Sequence, residues 1–460
     1  MTLANELVRS LRATASQPLP SAVATVAALH FTDALGVGLA ASASLSGAAW
    51  KRAGASLARG GSATVLGQRG GGAAADAAMV NGGLIHSLEF DDTHTGSIMH
   101  GSAVVAAAAL AAAESANASG SAMLAAYTRG YEALVLLGLA APGRFHATGF
   151  QATSVAGTMA AVLVAAELDG LDDAQTVHAL GIALSQSAGV MEFLSNGSSV
   201  KSLNPAWAAH GGLIAAALAR AGMTGPATSL DGRWGLFAQF SDQADAADRL
   251  LRLLPEVGAR WHMADAAFKF FPCCHYLHSF VEAAGQLADS GLESENIAGI
   301  LCEVPVGAAP IICEPWEQVL NPLTGHAARW SLPITVATRI VEGAVNLATF
   351  EQPASPAVRA LAQRVRWVPL EGARFPERFE AVIRCKLTDG SERTARVDDV
   401  DGNPSRPASA ARILAKFRDN ASRVLDARAV LELEHRLPGL VDDHEPVSVL
   451  GAQLRSLSGD

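Results

Sequence analysis

Residues 103–115 have the sequence AVVAAAALAAAES, in which Glu114 is the one charged side chain. Alanine and leucine strongly favour a helix, and a helix of this composition has no polar face over most of its length. Such a helix needs cover from neighbouring elements on nearly every side. The segment therefore predicts the centre of a large helical domain rather than a helix at the surface.

Other segments before residue 260 share this alanine-rich, apolar composition: Ser121–Leu139, Ser154–Leu168, Ala174–Gln186 and Ala206–Ala221. Gly, Pro, Asp or Asn bounds each of them, and these residues are ordinary signals for a helix start or end. Asp172 or Asp173 is the expected N-cap of the segment that begins at Ala174. So much apolar helix exceeds what one small domain can cover, and we therefore expect a homodimer with a mainly helical interface.

The sequence pattern changes at residues 268–280, FKFFPCCHYLHSF. Beyond this point we expect strands at Ile297–Val306 and within Phe379–Val397, and helices at Val281–Ser290 and Ser331–Glu342. Asp389-Gly390 divides Phe379–Val397 into two strands and is a strong hairpin signal. This stretch is therefore expected to form a smaller α+β unit.

Helical patterns return from Ala408 onward, but they are too few to form a core of their own. We expect them to dock on the first helical domain. The predicted fold class is therefore mainly α with a smaller α+β domain. In this prediction residues 1–267 and 405–460 build a large all-helical domain from both chain ends, and residues 268–404 form an inserted α+β lid domain.

The composition limits the classes of partner. A length of 460 residues suggests two domains, and an apolar share of 50% is enough for a large core. A net charge of −10 disfavours nucleic acid or an anionic membrane, because both need a positive surface. The first residues lack a signal-peptide pattern, and the apolar runs are too short to span a bilayer. Five cysteines without a regular framework suit a reducing compartment, so we predict a cytoplasmic protein.

Titratable residues are concentrated in residues 81–102, NGGLIHSLEFDDTHTGSIMHGS, although only 17% of the chain is charged. The group consists of His86, Glu89, Asp91, Asp92, His94 and His100. Any one of these acids could simply be a helix cap in contact with water. His100, however, directly precedes a buried helix, where a histidine can bind a substrate oxygen and the helix N-terminus favours an anion. The cluster as a whole therefore indicates a binding or catalytic site.

Metal and redox chemistry have weak support in the sequence. The histidines match no strong zinc spacing, and the cysteines lack the spacing of an iron–sulfur site. Cys273 and Cys274 are adjacent and cannot form a CxxC pair. We therefore predict a site that works without a metal.

Three further stretches carry candidate residues. His146 lies in GRFHATGFQATSVAG (143–157), where glycines and small hydroxyl residues would allow a ligand to approach closely. Lys201 lies in NGSSVKSLNPAWAAHGG (196–212), and Lys269, His275 and His278 lie in residues 268–280. A lone histidine is usually structural, and an ordinary solvated lysine is an equally good interpretation of Lys201. These residues gain weight only in combination.

Five motifs in order resemble the MmgE/PrpD family. They are HSLEFDDTH (86–94) followed by His100, RFHATG (144–149), VKSLNPAWAAHGG (200–212), KFFPCCHYLHS (269–279) and ARWSLPITVA (328–337). The resemblance runs from about residue 20 to about residue 420. That family includes 2-methylcitrate dehydratase, cis-aconitate decarboxylase and iminodisuccinate epimerase. The resemblance implies a helical domain built from both chain ends, an α+β lid, a homodimer, and a cofactor-free site between the domains.

The same resemblance assigns the site residue by residue. The family's site falls on Glu89, Thr93, His100, His146, Lys201 and Lys269. Cys274 stands where cis-aconitate decarboxylases carry a histidine, and Glu89 stands where they carry an aspartate. We therefore predict His100, Lys201, Lys269, His146 and Glu89 as catalytic residues. Asp91, Thr93, His94, His275 and Cys274 are the predicted substrate-binding residues.

These residue types suit proton transfer at a carbon next to a carboxylate, which needs positioned acids, bases and cations. The lysines and histidines can bind the oxygens of a di- or tricarboxylate, and His100 or a neighbour can move the proton. Either lysine could instead be the base if burial favoured its neutral form. A dehydratase is the leading prediction, and the alternatives are an epimerase, a decarboxylase, or a binding protein that kept the fold without turnover.

Overall fold

The computed structural model describes residues 1–457, and helices occupy most of its first 260 residues. These helices are α1 Leu3–Ala13, α2 Ser21–Ser42, α3 Ala48–Leu57, α4 Ala74–His86, α5 Gly101–Ala116, α6 Gly120–Ala140, α7 Arg144–Ala147, α8 Ala152–Leu168, α9 Asp173–Leu184, α10 Leu203–Arg220, α11 Leu236–Phe240 and α12 Ala246–Leu253. Short strands form two pairs, β1 Gly60–Thr64 with β2 Gly71–Gly72, and β3 Thr93–His94 with β4 Ala266–Ala267. The helices predicted between residues 103 and 221 are confirmed, with ends shifted by three residues or fewer.

Helix α5, which contains the alanine-rich segment, is buried from Gly101 to Glu114. It packs against α4, α6, α8 and α10. A β-carbon added to Gly82 of α4 would lie 2.8 Å from the carbonyl oxygen of Ala103 and 3.2 Å from the α-carbon of Ala206. The small residues therefore let α4, α5 and α10 meet closely, and this contact fixes the end of α4, where the candidate site begins.

The α+β part contains one four-stranded sheet and a group of helices. Its helices are α13 His278–Asp289, α14 Ala309–Ile312, α15 Trp316–Leu320, α16 Leu332–Val341 and α17 Pro356–Ala362, and its strands are β5 Ile297–Val304, β6 Val365–Pro369, β7 Ala381–Leu387 and β8 Glu392–Val397. The strand order is β6-β5-β7-β8. The β7–β8 and β5–β7 pairs are antiparallel, whereas β5 and β6 are parallel. The predicted strands are confirmed, and β6 was not predicted.

Two local predictions are also confirmed. Asp172 is the N-cap of α9, and it forms a capping box with Gln175, whose side chain accepts from the Asp172 backbone. The β7–β8 hairpin turns at Asp389-Gly390, where Gly390 has a φ of 89°. Only glycine adopts such a backbone conformation without strain, which explains the turn signal.

The core side chains form two large clusters. The first combines residues 3–266 with residues 417–454 and has one member, Leu347, from the α+β part. The second contains residues 273–397. The C-terminal helices α18 Ala410–Ala421, α19 Ala427–Arg436 and α20 Val447–Leu457 belong to the first cluster, and α18 packs on α2. The fold class, mainly α with a smaller α+β part, is confirmed, and we retain the boundaries 1–267, 268–404 and 405–460 as a proposal.

Helix α2 is long and apolar enough to cross a membrane by length and composition. However, 78% of its most apolar window is buried inside the protein. It contacts α4 and α18, and Phe31 and Leu35 are members of the first core cluster. Its apolar composition is therefore accounted for by its place in the core.

Candidate active site

A cavity of about 260 Å³ lies between the helical part and the α+β part of the chain. Glu89, Thr93, His100, His146 and Lys201 line it from the helical part, and Cys274 and His275 line it from the α+β part. The pairing of β3 with β4 places Thr93 opposite Ala267, so the 89–100 stretch lies next to the start of the α+β part. The fold thus collects predicted residues from distant stretches of the sequence around one cavity.

The other predicted residues lie outside the cavity lining. Lys269 is fully buried, and its Nζ lies 3.3 Å from the carbonyl oxygen of Glu89, so it supports the wall from behind. Asp91 is also fully buried and bonds His86. The ring of His94 bonds Ser97 at 2.8 Å rather than facing the cavity. These positions suit residues that orient the lining more than residues that touch a substrate.

Three buried cations hold the turn that follows α4. Successive carbonyl groups accept hydrogen bonds from them: Leu88 from Arg329 Nη1 at 2.5 Å, Glu89 from Lys269 Nζ at 3.3 Å, and Phe90 from Lys416 Nζ at 2.8 Å. We call Arg329, Lys269 and Lys416 the cation cage. Glu89 has a φ of 52°, a left-handed conformation that side chains rarely adopt. Positive charge at the end of α4 also complements the helix dipole, so the cage holds Glu89 in this turn.

The cage joins parts of the chain that are far apart in the sequence. Arg329 Nη1 also donates to the carbonyl of Pro272 at 2.6 Å, and this bond ties the start of the α+β part to the turn. Lys416 of α18 forms an ion pair with Asp33 of α2 at 2.8 Å. Burial raises the pKa of Asp33, and the positive charge of Lys416 lowers it. Burial has the larger effect, so the pKa is raised above its usual value. The turn is thus fixed from α2, from α18 and from the α+β part.

Glu89 and Lys201 form a buried ion pair inside the cavity wall. Lys201 Nζ donates to Glu89 Oε1 at 2.5 Å. The same ammonium lies 5.3 Å from the ring centroid of Trp330 and 5.9 Å from that of Phe193. Burial would raise the pKa of Glu89, but the charges of Lys201 and Lys269 outweigh it and hold the pKa well below 4.5. The pair therefore consists of a carboxylate and an ammonium with aromatic rings beside it.

His100 is the residue that precedes α5, and its ring has a defined tautomer. Its Nδ1 lies 3.1 Å from the carbonyl oxygen of Asp92 and 3.2 Å from Oγ1 of Thr93. A carbonyl oxygen can only accept, so Nδ1 carries the hydrogen and Nε2 carries the lone pair. Burial, followed by the charge of Lys269, holds the pKa of His100 well below 6.5. His100 is therefore a neutral imidazole whose unprotonated Nε2 is free to accept a proton.

Asp91 and His86 lie next to His100 on the side away from solvent. His86 Nδ1 bonds Asp91 Oδ2 at 2.8 Å, and the rings of His86 and His100 lie 4.9 Å apart. Burial would raise the pKa of Asp91, but the charge and hydrogen bond of His86 lower it by more. Within residues 1–457, ligand atoms of His86, Asp91 and His100 form the one group close enough to hold a metal ion, all within 4.8 Å of each other. Asp91 already accepts from His86, and the nearby Lys269 ammonium would oppose a divalent cation.

The remaining titratable lining groups are uncharged. Burial, with a contribution from Lys201, lowers the pKa of His146 to about 4. Burial and then His278 hold the pKa of His275 well below 6.5. Burial raises the pKa of the Cys274 thiol to about 11, so it is neither a thiolate nucleophile nor a metal ligand as it stands. These side chains can donate or accept hydrogen bonds but contribute little charge.

Arg329 and Lys416 escaped the sequence prediction of the site, and Asp92 was named in the titratable cluster without a role. Asp92 caps α5 through Ser102, whose N–H and Oγ donate to it at 3.0 Å and 2.6 Å. Burial, opposed by these bonds, raises the pKa of Asp92 to about 7. Arg329 stood inside a quoted motif, where one arginine between apolar residues could have marked a buried cation. Lys416 carried no comparable signal, because its helix is amphipathic and rich in charge.

Family models match most of the chain. Residues 5–248 match the MmgE/PrpD N-terminal domain, and residues 271–437 match the MmgE/PrpD C-terminal domain. The first match contains every predicted site residue from Glu89 to Lys201. The second begins just after Lys269 and contains Cys274 and His275.

The chain is also similar to named enzymes over most of its length. It is 27% identical to the cis-aconitate decarboxylase of Aspergillus terreus over 385 residues, 79% of this chain and 78% of that protein. It is 29% identical to the cis-aconitate decarboxylase of Homo sapiens over 398 residues, 83% of this chain and 79% of that protein. The enzyme of that name from Mus musculus is 28% identical over 405 residues, 83% of this chain and 78% of that protein.

Proposed function

Because the chain belongs to the MmgE/PrpD family, we propose that it is a lyase, and more specifically a cofactor-free dehydratase of a small di- or tricarboxylate. The reaction removes a proton from the carbon next to a carboxylate and expels the hydroxyl group of the adjacent carbon as water. The observation that carries the proposal is one cavity with a neutral His100 and the Glu89–Lys201 ion pair in its lining. A base, an acid and a cation thus face one small volume.

We assign the base role to His100. Its Nε2 carries the lone pair, because Nδ1 donates to the carbonyl of Asp92. Its lowered pKa keeps the imidazole neutral at physiological pH and ready to accept the substrate proton. The Asp92 carbonyl and Thr93 hydroxyl hold the ring in this orientation. The product of this step is a carbanion whose charge spreads onto the neighbouring carboxylate.

We assign two roles to Lys201. Its ammonium can bind the carboxylate oxygens on which negative charge develops, which lowers the barrier to proton removal. It can also donate a proton to the departing hydroxyl group, so that water leaves rather than hydroxide. Lys201 then regains a proton from solvent, directly or by way of Glu89, and His100 releases the proton that it took, so both groups return to their resting state. Because Glu89 lies 2.5 Å from Lys201, it keeps the ammonium positioned between turnovers.

The test is proton NMR of the purified protein with a panel of polycarboxylates in heavy water. New alkene signals from a hydroxy-acid, or hydration of an alkene in the reverse direction, support the dehydratase. Exchange of the α-proton without loss of water would support an epimerase instead. Silence across the panel, with binding retained, would support a binding protein and overturn the proposal.

A decarboxylase is the second candidate, because the relatives described above carry that name. It would release carbon dioxide and then protonate the same carbon, so the acid and base groups serve both reactions. Cys274 and Glu89 stand where the resemblance places a histidine and an aspartate in those enzymes, and this difference favours dehydration. Release of carbon dioxide from cis-aconitate, measured with labelled carboxyl carbon, would decide for the decarboxylase.

A further inference from the structure

Large apolar side chains form much of the rest of the cavity lining. Phe193, Tyr276, Ile311, Trp330 and Phe375 all line it, and we call these five residues the apolar wall. Tyr276 and Phe375 pack edge to face with ring centroids 4.9 Å apart. Rigid aromatic surfaces of this kind bind apolar groups and exclude water. A substrate composed only of carboxylates and hydroxyl groups would leave the wall without a matching partner.

The charges in the lining cancel each other. Lys201 is the single lysine in the cavity lining of residues 1–457, which contains no arginine, and Glu89 neutralises it at 2.5 Å. Lys269 lies behind the lining, where its Nζ donates to the Glu89 carbonyl rather than entering the cavity. The lining histidines are neutral for the reasons given above. The cavity therefore offers far less positive charge than the bidentate arginines that usually recognise several carboxylates.

The adjoining space is unfavourable to a further carboxylate. A second chamber of about 360 Å³ shares Phe193, Ile311 and Trp330 with the cavity, so a long substituent could enter it. Its lining contains Glu314 and Glu317 but no lysine or arginine. An apolar chain can pack on the side chains that the two spaces share, whereas a carboxylate there would face two exposed acids and no cation.

We infer that the substrate is a dicarboxylate with an apolar substituent, and not a tricarboxylate. This inference rests on the proposed function and narrows its substrate class. One carboxylate pairs with Lys201, the second accepts hydrogen bonds from His146, His275 and Thr93, and the substituent packs on the apolar wall. A third carboxylate would have no cation of its own within the lining.

Substituted maleates provide a direct test by titration calorimetry at pH 7.5. Isobutylmaleate and carboxymethylmaleate (cis-aconitate) have similar shapes, but the first ends in two methyl groups and the second in a carboxylate. We expect isobutylmaleate to bind at least about tenfold more tightly. Along maleate, methylmaleate, ethylmaleate and propylmaleate, each buried methylene should tighten binding about fourfold. Equal or tighter binding of carboxymethylmaleate, or no dependence on alkyl length, would overturn the inference.

A charge variant adds a second, independent measurement. Ile311→Lys places a cation in the wall shared by the cavity and the chamber, so it should reverse the order and favour carboxymethylmaleate. Leu431→Lys adds the same charge at an exposed position on α19 and should leave the order unchanged. Following both ligands by NMR separates the two proposals. If the protein turns over both ligands but prefers carboxymethylmaleate, the inference alone is overturned. If the ligands bind in the expected order without turnover, the proposed function alone is overturned. If neither ligand binds, the inference is overturned.

Discussion

Lys201 and Glu89 lie 112 residues apart in the sequence, yet Nζ and Oε1 are 2.5 Å apart in the wall of the cavity. The carboxylate is 2% exposed and the lysine 8%, so each charge depends on the other for compensation. Removal of one partner of such a pair leaves an uncompensated charge in a poorly hydrated place, which is costly. The pair thus combines a structural role with the catalytic role that we propose.

Lys201→Ala should weaken substrate binding and slow turnover together, because a cation on the carboxylate acts in the ground state and in the transition state. We expect kcat/KM to fall by about two orders of magnitude or more. The variant should also unfold at lower temperature, since Glu89 loses its partner. Adding Glu89→Gln should restore the thermal stability without restoring turnover. Recovery of activity in the double variant would show that the lysine acts only through stability.

His100→Ala should lower kcat by about two orders of magnitude or more, the usual scale for loss of a general base. His94→Gln is the matched control, since His94 belongs to the same 86–100 segment but bonds Ser97 outside the cavity lining. Steady-state kinetics of both variants with the same substrate make the comparison. Similar losses in both would contradict the assignment of His100 as the base.

The fold could be predicted largely from local composition, because alanine-rich helices and a hairpin signal depend on neighbouring residues. Strand β6 was missed: its sequence Val365–Pro369 is short, ends in proline and is half exposed at the sheet edge. Its pairing with β5 depends on long-range contact, which local periodicity does not record.

The site could be predicted only in part, because motifs record local sequence and not long-range contacts. Motifs located His100, His146 and Lys201, but they did not separate lining residues from supporting residues such as Asp91 and His94. The bonds from Arg329 to Leu88 and from Lys416 to Phe90 join positions 241 and 326 residues apart. A buried cation can be recognised only when its partner's position is known, and that position follows from tertiary structure.

Lys416→Met should destabilise the protein by about 3–5 kcal/mol, the cost of breaking a buried ion pair from one side. The variant leaves Asp33 without its cation and the Phe90 carbonyl without its donor. Adding Asp33→Leu should recover most of the loss, because the two apolar side chains then face each other. Chemical denaturation of the parent protein and the two variants measures these changes. A Lys416→Met variant as stable as the parent would contradict the stabilising role assigned to Lys416.

Thermal stability should fall as the pH decreases below about 6.5. Burial lowers the pKa of His30 and of His94 to about 3, with further lowering by Lys416 and His262, and that of His146 to about 4. The unfolded chain binds protons at these positions near pH 6.5, whereas the folded chain does not, so stability is lost progressively below that pH. Asp92 acts oppositely, because its raised pKa of about 7 makes the folded chain bind a proton first. His100 and His275 act in the same direction as these three histidines, and Asp33 acts in the same direction as Asp92. The histidines outnumber the carboxyl groups, so the net effect of lowering the pH is a loss of stability.

Melting temperatures between pH 7.5 and 5 test this balance. His94→Gln removes one of the three histidines and should make the slope shallower, by about 1.4 kcal/mol per pH unit for each proton removed. Asp92→Asn removes the opposing group and should make the slope steeper. A melting temperature that rises toward pH 5 would contradict the assignment of these histidines as neutral in the folded chain.

The homodimer predicted from the apolar helices should form through the face that contains Val190, Val200, Leu203 and Trp207. These large apolar side chains are 54%, 47%, 40% and 38% exposed. Leu203 and Trp207 lie one turn apart on α10, Val200 lies on the 199–202 turn that contacts α10, and Val190 precedes the 191–195 turn that contacts 199–202. Clustered exposed apolar residues mark an interaction surface. Lys201 lies between Val200 and Leu203 in the sequence, so a partner on this face would border the cavity.

Analytical ultracentrifugation should therefore show a dimer at micromolar concentration, and Trp207→Glu with Leu203→Glu should convert it to a monomer with reduced turnover. Leu431→Glu, at a 61% exposed site on α19, should remain dimeric and active. A monomeric parent protein, or a double variant that stays dimeric, would contradict this assignment of the interface.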